Sequence, residues 1–188
     1  YIKYKKIIEI IENYSSKNNI DFHVSKEVEE YIQKREIYIN ERSRVGLGIK
    51  SQTEEILEKY NSYRGVIDSQ MVRKLREKQA WDSFFMFAMR KSANFSVPGS
   101  GKTSSVYGVF SFLSYKGLVD KIVMIGPKNS FLAWKQEFYN VFGNKRNLKV
   151  LDIHSKSFSS EMMYKNISQY NLFLINYEAL PTYEDALK

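Results

Sequence analysis

The first 70 residues carry apolar side chains at helical spacing. Isoleucines and a tyrosine recur three or four positions apart in Ile7–Tyr14, and the same pattern resumes in Val28–Arg35 after Ser25. Serine is favoured at helix N-termini, so Ser25 indicates where the second helix begins. Two glycines within Arg44–Gly48 interrupt the periodicity and predict a break. We interpret residues 1–70 as a small helical accessory region.

From residue 71 onward, short apolar runs alternate with helical patterns. Runs of this length, bounded by turn residues, are typical of buried strands. The predicted strands are Ala93–Val97, Lys121–Ile125, Leu148–Ile153 and Leu172–Ile175, and the predicted helices between them are Lys102–Leu113, Phe131–Phe142 and residues 160–168. Alternation of this kind predicts an α/β fold, with a parallel sheet covered by helices on both faces.

The segment from Ser96 to Thr103, SVPGSGKT, lies between the first predicted strand and the first helix that follows it. This glycine-rich loop (residues 96–103) has the setting of a phosphate-binding P-loop, although serine stands at position 96 where the general pattern has glycine. Gly99 and Gly101 allow backbone N–H groups to turn toward phosphates. Lys102 would reach the terminal phosphates, and the Thr103 hydroxyl would bind Mg²⁺.

Composition narrows the class further. The chain has no cysteine, and no stretch of 18 apolar residues is free of charge, so we expect a cytoplasmic protein without a membrane segment. Residues 1–70 carry 12 basic and 12 acidic residues, and the whole net charge of +8 therefore lies after residue 70. A basic excess of this kind favours a polyanionic partner.

Three further sequence blocks accompany the glycine-rich loop. Leu75-Arg76 and Gln79 form an LRxxQ element upstream, Pro127–Phe138 contains a Pro-Leu-Trp-Glu-Phe pattern, and Asn176–Glu178 follows the last predicted strand. In this order, the four blocks resemble the first RecA-like lobe of superfamily-two helicases, most closely the Swi/Snf-type double-stranded DNA translocases. The resemblance covers about residues 73 to 185.

The resemblance implies a RecA-like ATP-binding domain over residues 71–188 and a role for each matched residue. Gln79 would read the adenine base with support from Arg76, Lys102 and Thr103 would be catalytic, and Thr103 would bind Mg²⁺. The ATP-binding residues would be Arg76, Gln79, Pro98, Gly99, Ser100, Gly101, Lys102, Thr103 and Ser104. The loop formed by Lys128, Asn129 and Ser130 would face nucleic acid, with duplex DNA as the expected partner.

One element of that family is missing from the sequence. No Asp-Glu pair follows an apolar strand, and the chain ends at Lys188 where the acidic motif II is expected. We therefore expect a domain truncated before motif II, which binds ATP but is inactive alone and works with a second RecA-like lobe in a longer parent chain. Two alternatives stay open at this point: a P-loop ATPase that acts on protein partners, and a non-catalytic nucleotide-binding module.

Overall fold

The computed structural model describes residues 2–165 and 167–187, and these residues divide into two compact units. The first unit ends at Thr53 and the second begins at Glu54. The first unit contains helices α1 (Ile2–Asn18) and α2 (Lys26–Ser51). Within it, Tyr4 meets Tyr31 edge to face at 6.2 Å, and Lys5 forms an ion pair with Glu36. The helical interpretation of this part of the sequence is confirmed.

The break predicted within Arg44–Gly48 is wrong, because α2 runs through both glycines to Ser51. The helix ends instead at Gln52, which adopts a left-handed backbone conformation with φ of 50°. Glycine in a helix interior costs only about 1 kcal/mol relative to alanine, which the rest of a 26-residue helix can offset. Glycine therefore lowers helix propensity without dictating a helix end.

The second unit begins with helices that pack on one another through aromatic side chains. Helices α3 (Glu54–Gln70) and α4 (Glu77–Met89) both contact α5 (Lys102–Tyr115), and α5 also contacts α6 (Phe131–Phe142). Tyr63 meets Phe84, Phe87 and Phe112 with ring centroids 4.7 to 5.5 Å apart. On the other side of α5, Tyr107 meets Phe138 and Phe142 edge to face. Aromatic pairs therefore form the seams on both sides of α5.

The sheet of the second unit has three strands, all parallel. Its strands are β1 (Ile122–Ile125), β2 (Val150–Asp152) and β3 (Leu172–Ile175), arranged in the order β1-β3-β2. Ile122 aligns with Leu172 on one side of β3, and Val150 aligns with Leu172 on the other. All four residues of β3 are buried, as expected of a central strand of a parallel sheet. Three of the four predicted strands are thus present.

Both faces of this small sheet are covered. Met124, Leu172 and Leu174 pack on one face against Phe131 and Trp134 of α6. Phe173 and Ile175 pack on the other face with Met163 of α7 (Ser160–Lys165) and Tyr183 of α8 (Leu180–Leu187). The helix predicted over residues 160–168 is shorter than expected, since Ile167–Gln169 form a separate 3-10 turn and residue 166 lies outside the described residues.

The predicted fold class, an α/β RecA-like fold with a parallel sheet covered by helices on both faces, is wrong for this structure because helices dominate it. Helices make up 67% of the structure, and the residues that it describes form a single sheet of three short strands. The predicted strand Ala93–Val97 does not form: these residues have no assigned secondary structure, and Phe95 and Val97 are 93% and 71% exposed. An apolar run becomes a strand only where a neighbouring strand accepts its hydrogen bonds, and none of the described strands pairs with this run.

Candidate phosphate-binding site

The glycine-rich loop has the backbone geometry that its sequence predicts. Gly99 and Gly101 have φ of +81° and +86°, values that L-residues with side chains rarely adopt. Helix α5 begins at Lys102, directly after Gly101, and its first helical hydrogen bond runs from the Ser105 N–H to the Gly101 carbonyl. The N–H groups of Lys102, Thr103 and Ser104 therefore stand in the first turn of a helix, where they have no acceptor within the helix and can bind an anion.

The Lys102 side chain is folded back onto the loop that precedes it. Its Nζ donates to the Ser96 carbonyl oxygen at 2.7 Å and to the Val97 carbonyl oxygen at 3.1 Å. An ammonium group has three donors and rotates on a flexible stem, so these two bonds to neutral carbonyls can be exchanged for bonds to a charged oxygen. This arrangement holds the cation beside the glycine-rich loop.

Gln79 connects the start of α4 to the glycine-rich loop. Its Nε2 donates to the Ser100 carbonyl oxygen at 2.9 Å, and its Oε1 accepts from the Arg76 N–H at 3.0 Å. A Cβ atom on Gly101 would lie 2.1 Å from the Gln79 Nε2, so the close approach of this amide requires glycine at position 101. In this structure Gln79 thus shapes the loop. Its expected role in reading adenine stays a prediction.

Buried hydroxyl groups hold α4 against α5 below the loop, and no motif or spacing in the sequence indicates them. The Tyr63 hydroxyl and Ser83 Oγ lie 2.6 Å apart, and Ser83 Oγ donates to the Ser105 carbonyl oxygen at 2.7 Å. Ser105 Oγ in turn donates to the Gln79 carbonyl oxygen at 3.1 Å. Burial raises the pKa of the Tyr63 hydroxyl well above its usual range. The chain of bonds fixes the helix that carries Lys102 relative to the helix that carries Gln79.

A cleft of about 740 Å³ opens beside the loop, and we call it the glycine-loop cleft. Of the residues predicted to bind ATP, all line this cleft except Ser100, whose buried Oγ has no hydrogen-bond partner among the described residues. Four cationic side chains line it, Arg73, Lys74, Arg76 and Lys102, against a single carboxylate, Glu137. This lining suits a polyanion, since like-signed side chains around a concave surface raise the local concentration of the opposite charge.

Glu137 joins three elements at the edge of the cleft. Its Oε1 accepts from Arg73 Nη2 and from Ser104 Oγ, and its Oε2 accepts from Asn140 Nδ2 at 3.3 Å. Arg73 Nη2 also donates to Ser104 Oγ at 3.1 Å. Burial and, to a smaller extent, the Glu137 carboxylate raise the pKa of the Tyr107 hydroxyl above its ordinary value. The sequence pattern placed Glu137 in a family motif but gave no indication of these partners.

The residues predicted to face nucleic acid lie elsewhere. Lys128, Asn129 and Ser130 form a 3-10 turn between the carboxyl end of β1 and the start of α6, outside the lining of the glycine-loop cleft. Lys128 and Asn129 are exposed, while Ser130 Oγ donates to the Pro127 carbonyl oxygen at 2.7 Å. The carboxyl end of β3 carries a similar turn, Tyr177–Ala179. The structure therefore brings the predicted ATP-binding residues together and keeps the predicted nucleic-acid residues separate from them.

The chemistry of the cleft fits a phosphate chain with Mg²⁺. Thr103 lines the cleft and has a hydroxyl that can serve as a ligand to Mg²⁺, a cation that in such sites takes its other ligands from phosphate oxygens and water. No cluster of three or more His, Cys, Asp or Glu side chains suited to holding a metal ion by itself occurs within residues 2–165 and 167–187. A metal ion at this site would thus depend on the phosphates for most of its binding.

Comparison with known proteins adds no family assignment. No protein-family model matches the chain, and no curated protein matches its sequence. Across the described parts of the chain, none of the helices combines the length and the apolar character required to span a bilayer.

Proposed function

We propose that this chain is the ATP-binding part of a DNA-dependent motor ATPase of the helicase or translocase kind. The observation that carries the proposal is the placement of Lys102 at the start of α5, directly after two glycines with positive φ, in a cleft lined by four cationic side chains. Backbone N–H groups at a helix start and a flexible ammonium group together bind phosphate oxygens strongly.

Different residues of the cleft would bind different parts of ATP and Mg²⁺. The first turn of α5 and Lys102 would hold the phosphates, and the Thr103 hydroxyl would hold Mg²⁺. Gln79 would keep the loop in its binding shape through its bond to the Ser100 carbonyl. Mg²⁺, when bound, supplies charge neutralisation for the phosphate oxygens. These assignments follow from what each group can donate or accept.

We infer that the chain alone binds ATP with little turnover. Hydrolysis by motor ATPases needs a carboxylate that orients water and helps to hold Mg²⁺. The one carboxylate that lines the cleft, Glu137, accepts hydrogen bonds from Arg73, Ser104 and Asn140. A carboxylate with these partners is poorly placed to activate water.

The proposal of a DNA partner is based on the distribution of charge and on the exposure of the Lys128–Ser130 turn. All of the net charge of +8 lies after residue 70, and the Lys128–Ser130 turn presents an exposed lysine and asparagine at the carboxyl end of β1. Parallel sheets commonly bind ligands at this edge. Phosphate contacts of this kind fix a protein on nucleic acid without reading its sequence.

The test is a titration of the chain with ATP and Mg²⁺, followed by the same titration in the presence of duplex DNA, single-stranded DNA and RNA. We expect Lys102→Ala to weaken ATP binding about 10- to 100-fold, since a charge-assisted bond to phosphate is lost. Lys78→Ala is the matched control, because Lys78 is exposed on α4 and lies outside the cleft lining.

Each outcome points to one reading of the chain. ATP affinity that depends on Lys102 and changes only with duplex DNA supports the motor. The same dependence on Lys102 with no response to any nucleic acid would favour an ATPase that acts on protein partners. Equal affinities for the wild type, Lys102→Ala and Lys78→Ala would reject the glycine-rich loop as a phosphate site.

A further inference from the structure

The glycine-loop cleft contains a second cation close to α5 that the loop motif does not include. Arg73 precedes α4, and its guanidinium reaches Ser104, two residues after Lys102 in the first turn of α5. The Arg73 backbone is held on the last turn of α6, because the N–H groups of Val72 and Arg73 donate to the Val141 carbonyl oxygen at 2.8 and 3.2 Å. Only the side chain of Arg73 is therefore free to change partners.

The guanidinium of Arg73 has donors that make no hydrogen bond with the described residues. Within the described residues, the side-chain bonds of Arg73 all use Nη2, which donates to Glu137 and to Ser104. Nη1 and Nε can each donate to an anion. If Nη2 left Glu137, the pair of Nη2 with Nη1 or with Nε would form the fork that matches two phosphate oxygens at once. The Arg73 side chain is 46% exposed and lines the cleft, so an incoming phosphate chain can reach it.

Glu137 is placed to compete with such an anion for Arg73. It keeps most of its hydrogen bonds if Arg73 leaves it. Its side chain is only 20% exposed, and a negative charge there opposes a second negative charge beside Arg73. If Arg73 turned to a phosphate, Glu137 would still accept from Ser104 Oγ and Asn140 Nδ2. A change of partner by Arg73 therefore leaves the Glu137 carboxylate with two hydrogen bonds.

We propose that Arg73 is a second phosphate-binding residue of the glycine-loop cleft, and that Glu137 is the counter-ion which holds Arg73 in place and competes with the phosphates for it. This inference rests on the proposed ATP-binding function and assigns a further residue to that site. On this proposal, the affinity of the cleft for phosphate depends on how strongly Glu137 and the ligand compete for Arg73.

The proposal predicts opposite effects for two substitutions that each replace a charged side chain with a neutral amide. Arg73→Gln removes the phosphate ligand and should weaken binding of ATP and of inorganic tripolyphosphate about 3- to 10-fold. Glu137→Gln removes the competing charge, keeps an oxygen that accepts from Ser104, and should tighten binding about 2- to 5-fold. The gain from Glu137→Gln should shrink when Arg73→Gln is also present, because the two residues act through each other.

Isothermal titration calorimetry of the full chain with each ligand measures these changes. Lys78→Gln and Glu161→Gln are the matched controls, since they change net charge by the same amount at exposed positions away from the cleft. Urea unfolding of every variant checks that the fold is intact. If Arg73→Gln does not fold, Arg73→Lys takes its place; it keeps the charge, loses the fork, and should still weaken binding.

The outcomes separate this inference from the proposed function. If both substitutions weaken binding, the pair is a structural ion pair and the proposal fails, and it fails equally if Arg73→Gln leaves the affinity unchanged. Loss of binding in Lys102→Ala with no effect of either substitution rejects Arg73 and Glu137 but keeps the ATP site. Opposite effects of the two substitutions with no effect of Lys102→Ala keep the pair as an anion site and reject the loop.

Discussion

Two glycines of the loop share a backbone conformation but differ in their surroundings. Gly99 and Gly101 both have positive φ, yet a Cβ atom at position 99 would meet nothing within 4 Å, whereas one at position 101 would lie 2.1 Å from the Gln79 Nε2. The atom that would be hit is the end of a flexible side chain, so Gln79 can move away. Its movement breaks the bond to the Ser100 carbonyl, which is the added cost at position 101.

This difference can be measured as a coupling between two residues. We expect Gly99→Ala to lower the free energy of unfolding by about 1 kcal/mol, the cost of a left-handed alanine. Gly101→Ala should cost about 2 to 3 kcal/mol, because the Gln79 hydrogen bond is also lost. In a Gln79→Ala background, Gly101→Ala should cost no more than Gly99→Ala, as measured by urea unfolding. If Gly101→Ala lowers the free energy of unfolding equally in both backgrounds, the contact of Gln79 with the loop does not contribute to stability.

At the scale of single residues, the sequence predicts which side chains belong to the site better than it predicts what they touch. Spacing alone identified Gly99, Gly101, Lys102 and Thr103, because a turn into a helix start demands those residue types in that order. The partners of Gln79 and the Arg73–Glu137 pair depend on the approach of α4 and α6, which are distant in sequence from the loop. Pairs formed across such distances leave no periodic signal in a single chain.

Among the elements, α5 is the one on which the site depends most. Gly108 lies where α5 passes α4, and a Cβ atom there would lie 2.4 Å from Ser83 Oγ and 2.9 Å from Leu75 Cδ1. Ser83 is fully buried and its hydroxyl is already bonded to Tyr63 and Ser105. The close approach of α4 and α5 therefore depends on glycine at position 108. Gly65 of α3, by contrast, is exposed and has nothing within 4 Å of such an atom.

The same substitution should thus have opposite effects in two helices. Gly108→Ala should lower the free energy of unfolding by about 1 to 3 kcal/mol, because the added methyl group overpacks a filled seam. Gly65→Ala should raise it by about 0.5 to 1 kcal/mol, because alanine favours the helix and open space surrounds the site. Thermal and urea unfolding of both variants measure the two effects. A stabilised Gly108→Ala variant would mean that the two helices are less closely packed than described.

The elements themselves were predictable where local pattern and burial agree. Helix α6 begins at Phe131 and ends before Gly143 as the sequence predicts, and β3 coincides with the apolar run Leu172–Ile175. The run Ala93–Val97 also includes Asn94 and Ser96, and none of the described strands pairs with it, so the prediction of a strand there is wrong. Strand pairing is a property of the whole sheet, and a single segment cannot report it.

Over the whole molecule, the candidate site belongs to one of the two compact units. Every residue that lines the glycine-loop cleft comes from the unit that begins at Glu54. That unit contains the three-stranded sheet and the buried aromatic residues around α5. In the unit that ends at Thr53, the only buried residue among those described is Ser15, and apolar side chains such as Ile7, Ile10 and Leu47 are exposed. The two units therefore differ in how much core each can use to fold.

This difference predicts how each unit should fold when it is produced as a separate polypeptide. A polypeptide of residues 52–188 should unfold cooperatively and bind ATP within about threefold of the full chain, because it contains the sheet, the aromatic seams and the cleft. Residues 1–53 alone should lose helical content, because isolated helices without a buried apolar face are marginal in water. Circular dichroism and ATP titration of both polypeptides measure these properties. If residues 52–188 fold but bind ATP more than about tenfold more weakly than the full chain, the first unit contributes to the site, and the cleft cannot be assigned to the second unit alone.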